Sequence, residues 1–131
     1  MLEKELLYAD LTENIIGSVL EVHQTLGAGF LESVYEQALS IEFDLRKIPY
    51  KRQKSFEIIY KGRPAKEFSC DFVVYDKIIL EIKAIKIISE IEQAQVINYL
   101  KASGLKLGLL VNFGNNSLEF KRLIYTNQCN P

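Results

Sequence analysis

Three charged residues interrupt the most apolar stretch of this chain. In "CDFVVYDKIILEIKA", residues 70–84, Asp71, Glu81 and Lys83 sit among Phe, Val, Ile and Leu. Side chains alternate across a strand, so Glu81 and Lys83 project from one face about 7 Å apart. Ile78, Leu80, Ile82 and Ala84 then take the opposite face. Two acids a few ångströms apart repel unless something positive lies between them. Oxygen ligands of this kind suit a hard divalent cation, Mg2+ (or Mn2+). Such an ion lowers the pKa of a bound water and stabilises charge on a phosphate oxygen. A lysine beside it can hold the attacking water or the developing negative charge. The chemistry implied is phosphodiester hydrolysis. The bland alternative is a salt-bridge network on the solvated face of a sheet.

Whether the three groups meet depends on the hairpin between them. A two-residue turn at Asp76-Lys77 would pair Tyr75 with Ile78 and so Asp71 with Ile82, which puts Asp71 on the wrong face. A three-residue loop, or one bulge, sets Asp71 across from Glu81 or Lys83 instead. Asp76-Lys77 lacks the glycine that a tight hairpin turn prefers. The sequence therefore predicts an odd-length turn or a bulge here.

The elements that must position this set are legible as periodicity. "DLTENIIGSVLEVHQTLGAG" carries apolar residues at helical spacing, with Asp10 or Thr12 as the expected cap and Gly27 as the stop. A second helix is expected from about Leu31 to Arg46, closed by Pro49. Three strands follow, "YKRQKSFEIIYKG", "AKEFSCDFVVYD" and "KIILEIKA", with a turn at "KGRP". "SEIEQAQVINYLKASG" reads as a helix capped by Ser89 and stopped by Gly104. "LKLGLLVNFG" reads as a buried strand and "SLEFKRLIY" as one more. The order ααβββαβ(β) predicts an α/β (α+β) fold, a sheet with helices packed on it.

The 131 residues fit one domain, 1–131, with 1–10 as an N-terminal extension and 126–131 as a tail. A net charge of −1 excludes a general attraction to nucleic acid, so any such binding needs a local basic face. Cys70 and Cys129 have no zinc-type spacing and read as free thiols. The acidic N-terminus is not a signal peptide and no stretch approaches membrane-spanning length, so a cytoplasmic protein without membrane contact is expected.

The charged residues also carry a resemblance. "CDFVV" followed by "EIK" resembles the Asp…Glu-x-Lys core of PD-(D/E)XK nucleases, whose restriction-endonuclease-like αβββαβ core has the same element order. "GFLESVY" (Gly29, Glu32, Tyr35) resembles the GxxExxY pattern that names one family in that superfamily, and "QVINY" resembles its Gln-x-x-x-Tyr element at Gln95 and Tyr99. The resemblance implies a mixed sheet flanked by helices, with Asp71, Glu81, the Ile82 carbonyl and Glu32 as metal ligands and Lys83 as the catalytic lysine. Gln95 and Tyr99 would orient a phosphate or that lysine. Each has a plainer reading: an acid in a first helical turn suits the dipole, and a tyrosine on a helix stripe is usually core.

Two function classes follow. One is a Mg2+-dependent nuclease acting on DNA, or RNA; the other is a catalytically silent module that keeps the fold to bind nucleic acid or a partner protein. Lys51, Arg52, Lys54, Lys61, Arg63 and Lys66 form a basic edge that a backbone-directed binder would need, although such a run also serves as a solvated edge. Lys101, Lys106, Lys121 and Arg122 are weaker additions. His23, the single histidine, falls on the apolar face of the first helix and reads as a core histidine rather than a base. A chain this short leaves room for a homodimer or a protein partner.

Overall fold

Ile15, Val19 and Val22 recur at helical spacing, and that stripe is what buries the first helix. A computed structural model describes residues 6–126, in the order α1 (Ala9–Leu26), α2 (Glu32–Arg46), β1 (Tyr50–Tyr60), β2 (Arg63–Val74), β3 (Ile78–Lys83), α3 (Glu90–Ser103), β4 (Leu107–Asn112) and β5 (Glu119–Ile124). Cys129, most of the predicted tail and the start of the N-terminal extension lie outside the described residues. No helix among the described residues is long and apolar enough to cross a membrane.

The five strands form one sheet in chain order, antiparallel except for the β3–β4 pair, which is parallel and bridged by α3. Parallel neighbours need a crossover, and a helix is the usual one. Helices α1 and α2 cover one face, over Phe72, Val74, Ile78, Leu80, Ile82, Leu107 and Leu109. Helix α3 covers the other, over Cys70, Val73, Ile79 and Leu110. Strands β3 and β4 are therefore buried on both faces, which is why they read as almost continuous Ile, Leu and Val. Phe72 sits edge-on to both Phe43 and Tyr50, at 5.5 and 5.7 Å between ring centroids. Its truncation to alanine would cost about 3–5 kcal/mol.

The expected element order and α+β class hold. Ser89 caps α3 in a full capping box with Glu92, and Gly104 ends it. Helix α1 departs from expectation at its start: the capping position is Tyr8, without a side-chain bond, while Asp10 and Thr12 lie inside the first turn. Asp10 there favours the positive end of the helix dipole, and the Thr12 hydroxyl donates back to Ala9 O at 3.0 Å. His23 is buried, its Nε2 2.8 Å from Asn115 O, a satisfied core histidine as expected.

Candidate active site

Strands β2 and β3 are joined by three residues, Tyr75, Asp76 and Lys77, so Val74 pairs with Ile78 and Phe72 with Leu80. Tyr75 and Asp76 both take positive φ, 58° and 57°, and Lys77 N–H closes the turn on Val74 O at 3.1 Å. This is the odd-length connection the sequence demanded, and it brings Asp71 opposite Glu81.

At that level the ladder changes partners. Asp71 N–H donates to Glu81 Oε2 at 2.5 Å, and Ile82 N–H donates to Asp71 Oδ2 at 2.8 Å. Each carboxylate thus takes a backbone donor from the other strand, which wedges β2 and β3 apart and fixes both acids. The N–H and C=O of one strand residue point the same way across the sheet. The Ile82 carbonyl therefore looks into the same gap, while Lys83 O turns to β4 and accepts from Phe113 N–H at 2.8 Å.

Glu81 is 4% exposed and Asp71 half-buried. Burial, reinforced by the Asp71 charge and opposed by Lys83, pushes Glu81 up to about 8. Burial also raises Asp71; the charges of Glu36 and Glu32 add to this, and the Ile82 N–H and Gln53 oppose it. The gap is thus lined by acid oxygen atoms whose charge Lys83 and the backbone donors offset only in part, and that donor set fits a hard divalent cation. Among the described residues no three His, Cys, Asp or Glu side chains converge on one point. Glu32 acts on Asp71 and Glu81 through its charge and does not join them as a close third acid.

Glu32 stands exposed in the first turn of α2. The tyrosine three residues on is buried, and its hydroxyl donates to Gly27 O at 2.5 Å and accepts from Phe30 N–H at 3.2 Å. The Tyr35 ring stacks on Phe113 at 4.4 Å. In the Gly29, Glu32, Tyr35 set, then, the tyrosine staples the interhelix turn and the acid is left exposed.

Two residues beside the site carry no motif. Glu36, one turn after Glu32, accepts from Arg52 Nη2 at 3.2 Å and from Gln53 Nε2 at 3.0 Å. Gln53 Nε2 also reaches Asp71 Oδ1 at 3.3 Å, and Gln53 Oε1 accepts from Ser69 Oγ at 3.1 Å. Gln53 takes φ 48° inside β1, a conformation uncommon for a residue with a side chain. The one sequence signal was spacing: Glu36 is four residues from Glu32 and shares its helix face.

On the other side, Tyr99 of α3 is 5% exposed and meets Phe68 edge-on at 5.5 Å. Burial, with the charges of Glu81 and Asp71, pushes its hydroxyl up to about 12, Gln95 offsetting part of this. Tyr99 therefore stays a neutral hydrogen-bond donor within the field of both acids, and Gln95 lies exposed one turn before it. The Cys70 thiol is likewise pushed up to about 12, chiefly by burial, and is inert.

Asn112 is the third residue without a motif. It is fully buried at the end of β4, in register with Lys83. Its Oδ1 accepts from Ile85 N–H at 2.9 Å and Gly114 N–H at 3.0 Å, and its Nδ2 donates to Ile85 O at 2.9 Å and Glu119 Oε1 at 3.1 Å. The amide thus continues the β3–β4 ladder by one more step and holds the chain leaving Lys83. Gly114 lets this happen, since a Cβ there would lie 2.0 Å from Ile85 O.

The six cations of the basic edge divide. Arg52 binds Glu36 and the Gln37 side chain and so braces the fold, while Lys51 pairs with Asp76 at 3.2 Å in an exposed contact that contributes little to stability. Lys54, Lys61, Arg63 and Lys66 are exposed on the β1–β2 hairpin. Of the weaker additions, Arg122 donates to Leu7 O and Lys101 lies 5.6 Å over the Tyr125 ring.

Comparison with known proteins supplies the last observations. A family model described as the PD-(D/E)XK nuclease superfamily matches residues 9–123, from the start of α1 to within one residue of the end of β5. No curated protein matches the sequence. Among solved structures, "Crystal structure of SSO0001" superposes with a TM-score of 0.54 at 13% identity, covering 96% of this chain and 70% of that one. At that identity the likeness concerns the fold.

Proposed function

From the premise that this chain belongs to the PD-(D/E)XK nuclease superfamily, we propose that it is a metal-dependent nuclease that hydrolyses phosphodiester bonds of DNA, or RNA. The observation that carries the reading is the crossed pair of bonds, Asp71 N–H to Glu81 and Ile82 N–H to Asp71. It holds two carboxylates at one gap with Lys83 on the same strand face as Glu81. The Gly29, Glu32, Tyr35 pattern supports a place in the GxxExxY branch of the superfamily.

Asp71, Glu81 and the Ile82 carbonyl would hold Mg2+ or Mn2+, and Glu32 would bias the site further toward a cation. When bound, the ion supplies an acidified water and charge neutralisation at a phosphate oxygen. Lys83 donates hydrogen bonds to the attacking water or to a non-bridging phosphate oxygen, stabilising charge that grows along the reaction. Tyr99, a neutral donor, and Gln95 orient the phosphate or the lysine. The crossed bonds pre-set both acids, so little reorganisation is left for the moment of reaction.

Calorimetric titration with Mn2+ or Mg2+, using Asp71→Ala as control, tests the metal site. Cleavage of single- and double-stranded substrates by wild type and Lys83→Ala then tests catalysis. Absence of binding at millimolar ion, with no cleavage by the wild type, would leave a silent nucleic-acid or protein-binding module as the better account; cleavage undiminished in the lysine variant would remove Lys83 from the chemistry.

A further inference from the structure

Strands β1 and β2 run to 11 and 12 residues, while β3, β4 and β5 have six each. Strand β3 pairs with β2 only over Phe72–Val74, so most of the β1–β2 hairpin is a two-stranded ribbon extending beyond the sheet. A free hairpin is marginal in water. Phe56 and Phe68 anchor this one, packing with Tyr99 on the α3 side.

The two faces of the ribbon differ in charge. The cross-strand pairs Lys54/Cys70, Phe56/Phe68 and Ile58/Lys66 share the α3-side face, and beyond a bulge at Ile58/Ile59 the chain pairs again as Tyr60/Arg63. Opposite them, Ser55 faces Ser69 and Glu57 faces Glu67. Two like charges directly opposed are unfavourable, and the sequence keeps them there. Among the described residues, Lys54, Lys61, Arg63 and Lys66 enter no ion pair, so their charge is available. Lys54 lies 6.0 Å over Phe56 and Lys61 5.3 Å over Tyr60, interleaving cations with rings. At the tip Ile59 and Tyr60 are 56% and 65% exposed.

We infer that this ribbon is a nucleic-acid-docking arm, which takes the phosphodiester backbone on the face carrying Lys54, Arg63 and Lys66 and stacks a base or sugar on Tyr60. The inference rests on the nuclease reading and adds to it a grip separate from the cleavage site. A two-stranded ribbon is one of the elements a DNA major groove admits. Cations interleaved with aromatic rings suit a single strand equally. The acidic Glu57/Glu67 face repels the same polyanion and so makes the docking one-sided.

The test is fluorescence anisotropy with labelled single- and double-stranded oligonucleotides in chelator, across a range of salt. Each phosphate contact contributes about one to the slope of log affinity against log salt. Arg63→Ala/Lys66→Ala is expected to weaken binding whatever the sequence and to reduce the slope by about two. Tyr60→Ala should weaken binding with the slope unchanged, and Glu57→Gln/Glu67→Gln should strengthen it. The oligonucleotide that shows the larger loss identifies the form the arm takes. An unchanged slope in the double variant, or no affinity of the wild type for either oligonucleotide, overturns the arm. That failure is distinct from failure of the nuclease reading, which is decided by metal-dependent cleavage and not by binding in chelator.

Discussion

Lys83 and Asn112 are register partners across the parallel β3–β4 ladder, and the amide of Asn112 clamps both backbone groups of Ile85, two residues beyond the lysine. The backbone of Lys83 is thereby held on both sides, by Phe113 N–H at its carbonyl and by the clamped loop after it. Asn112→Ala leaves buried donors and acceptors unpaired and should cost about 1–3 kcal/mol in a urea melt. Asn112→Asp should do no better, because it keeps the acceptor but loses both donors and sets a charge against Glu119. Equal stability of the aspartate variant and the wild type would show that the clamp holds nothing.

Glu81 makes stability depend on pH in an unusual direction. Its pKa rises from 4.5 to about 8 on folding, so between those values the folded state keeps a proton that the unfolded chain has lost. Stability of the metal-free protein is therefore expected to fall as pH rises through this window. Glu81→Gln should flatten most of that slope, Asp71 being raised in the same direction, and be the more stable protein at its alkaline end. Divalent cation competes with the same proton, so affinity should climb with pH and binding should release protons, measurable by calorimetry in buffers of different ionisation heat. Denaturant melts in chelator that show stability rising over this interval would contradict the burial of Glu81.

Much of this was legible in the chain because it is local. The missing glycine at Asp76-Lys77 announced a longer turn, and that turn set Asp71 against Glu81. Ser89 and Gly104 announced both ends of α3, while the Glu92 half of its capping box came to light only in the structure. What was hidden depends on distant partners. Glu36 meets Arg52 across 16 positions and Asn112 meets Ile85 across 27, and no periodicity marks either. Asp10 misled because an acid in a first turn answers the same dipole as a capping residue does. The length of the ribbon was visible as two strands, but its projection follows from β3 being half as long as β2, a property of the assembled sheet.

Arg52 separates bracing from docking. It sits in the same basic run as Lys54, yet it is held by Glu36 and Gln37. Arg52→Ala is expected to cost about 1 kcal/mol, the upper range for a partly exposed pair. It should leave the salt dependence of oligonucleotide binding as in wild type. A drop in that slope by about one would return Arg52 to the set of phosphate contacts.

Lys83 offers the sharpest division between holding the ion and using it. Its side chain shares a strand face with Glu81, but ammonium groups donate and cannot ligate a cation while charged. Lys83→Ala should therefore leave Mn2+ affinity near the wild-type value, or raise it, since a positive neighbour of Glu81 is gone. Cleavage should fall by about 10²–10³-fold, the usual cost of one donor aimed at developing charge. Asp71→Asn should behave in the opposite way, losing the ion first. Its Oδ2 accepts from Ile82 N–H, so the asparagine keeps that bond through its own carbonyl and the strands stay in place. Parallel measurement of metal affinity and single-turnover cleavage on the two variants distinguishes the roles, and loss of metal binding in both would mean that Lys83 serves only to set the geometry of the acids.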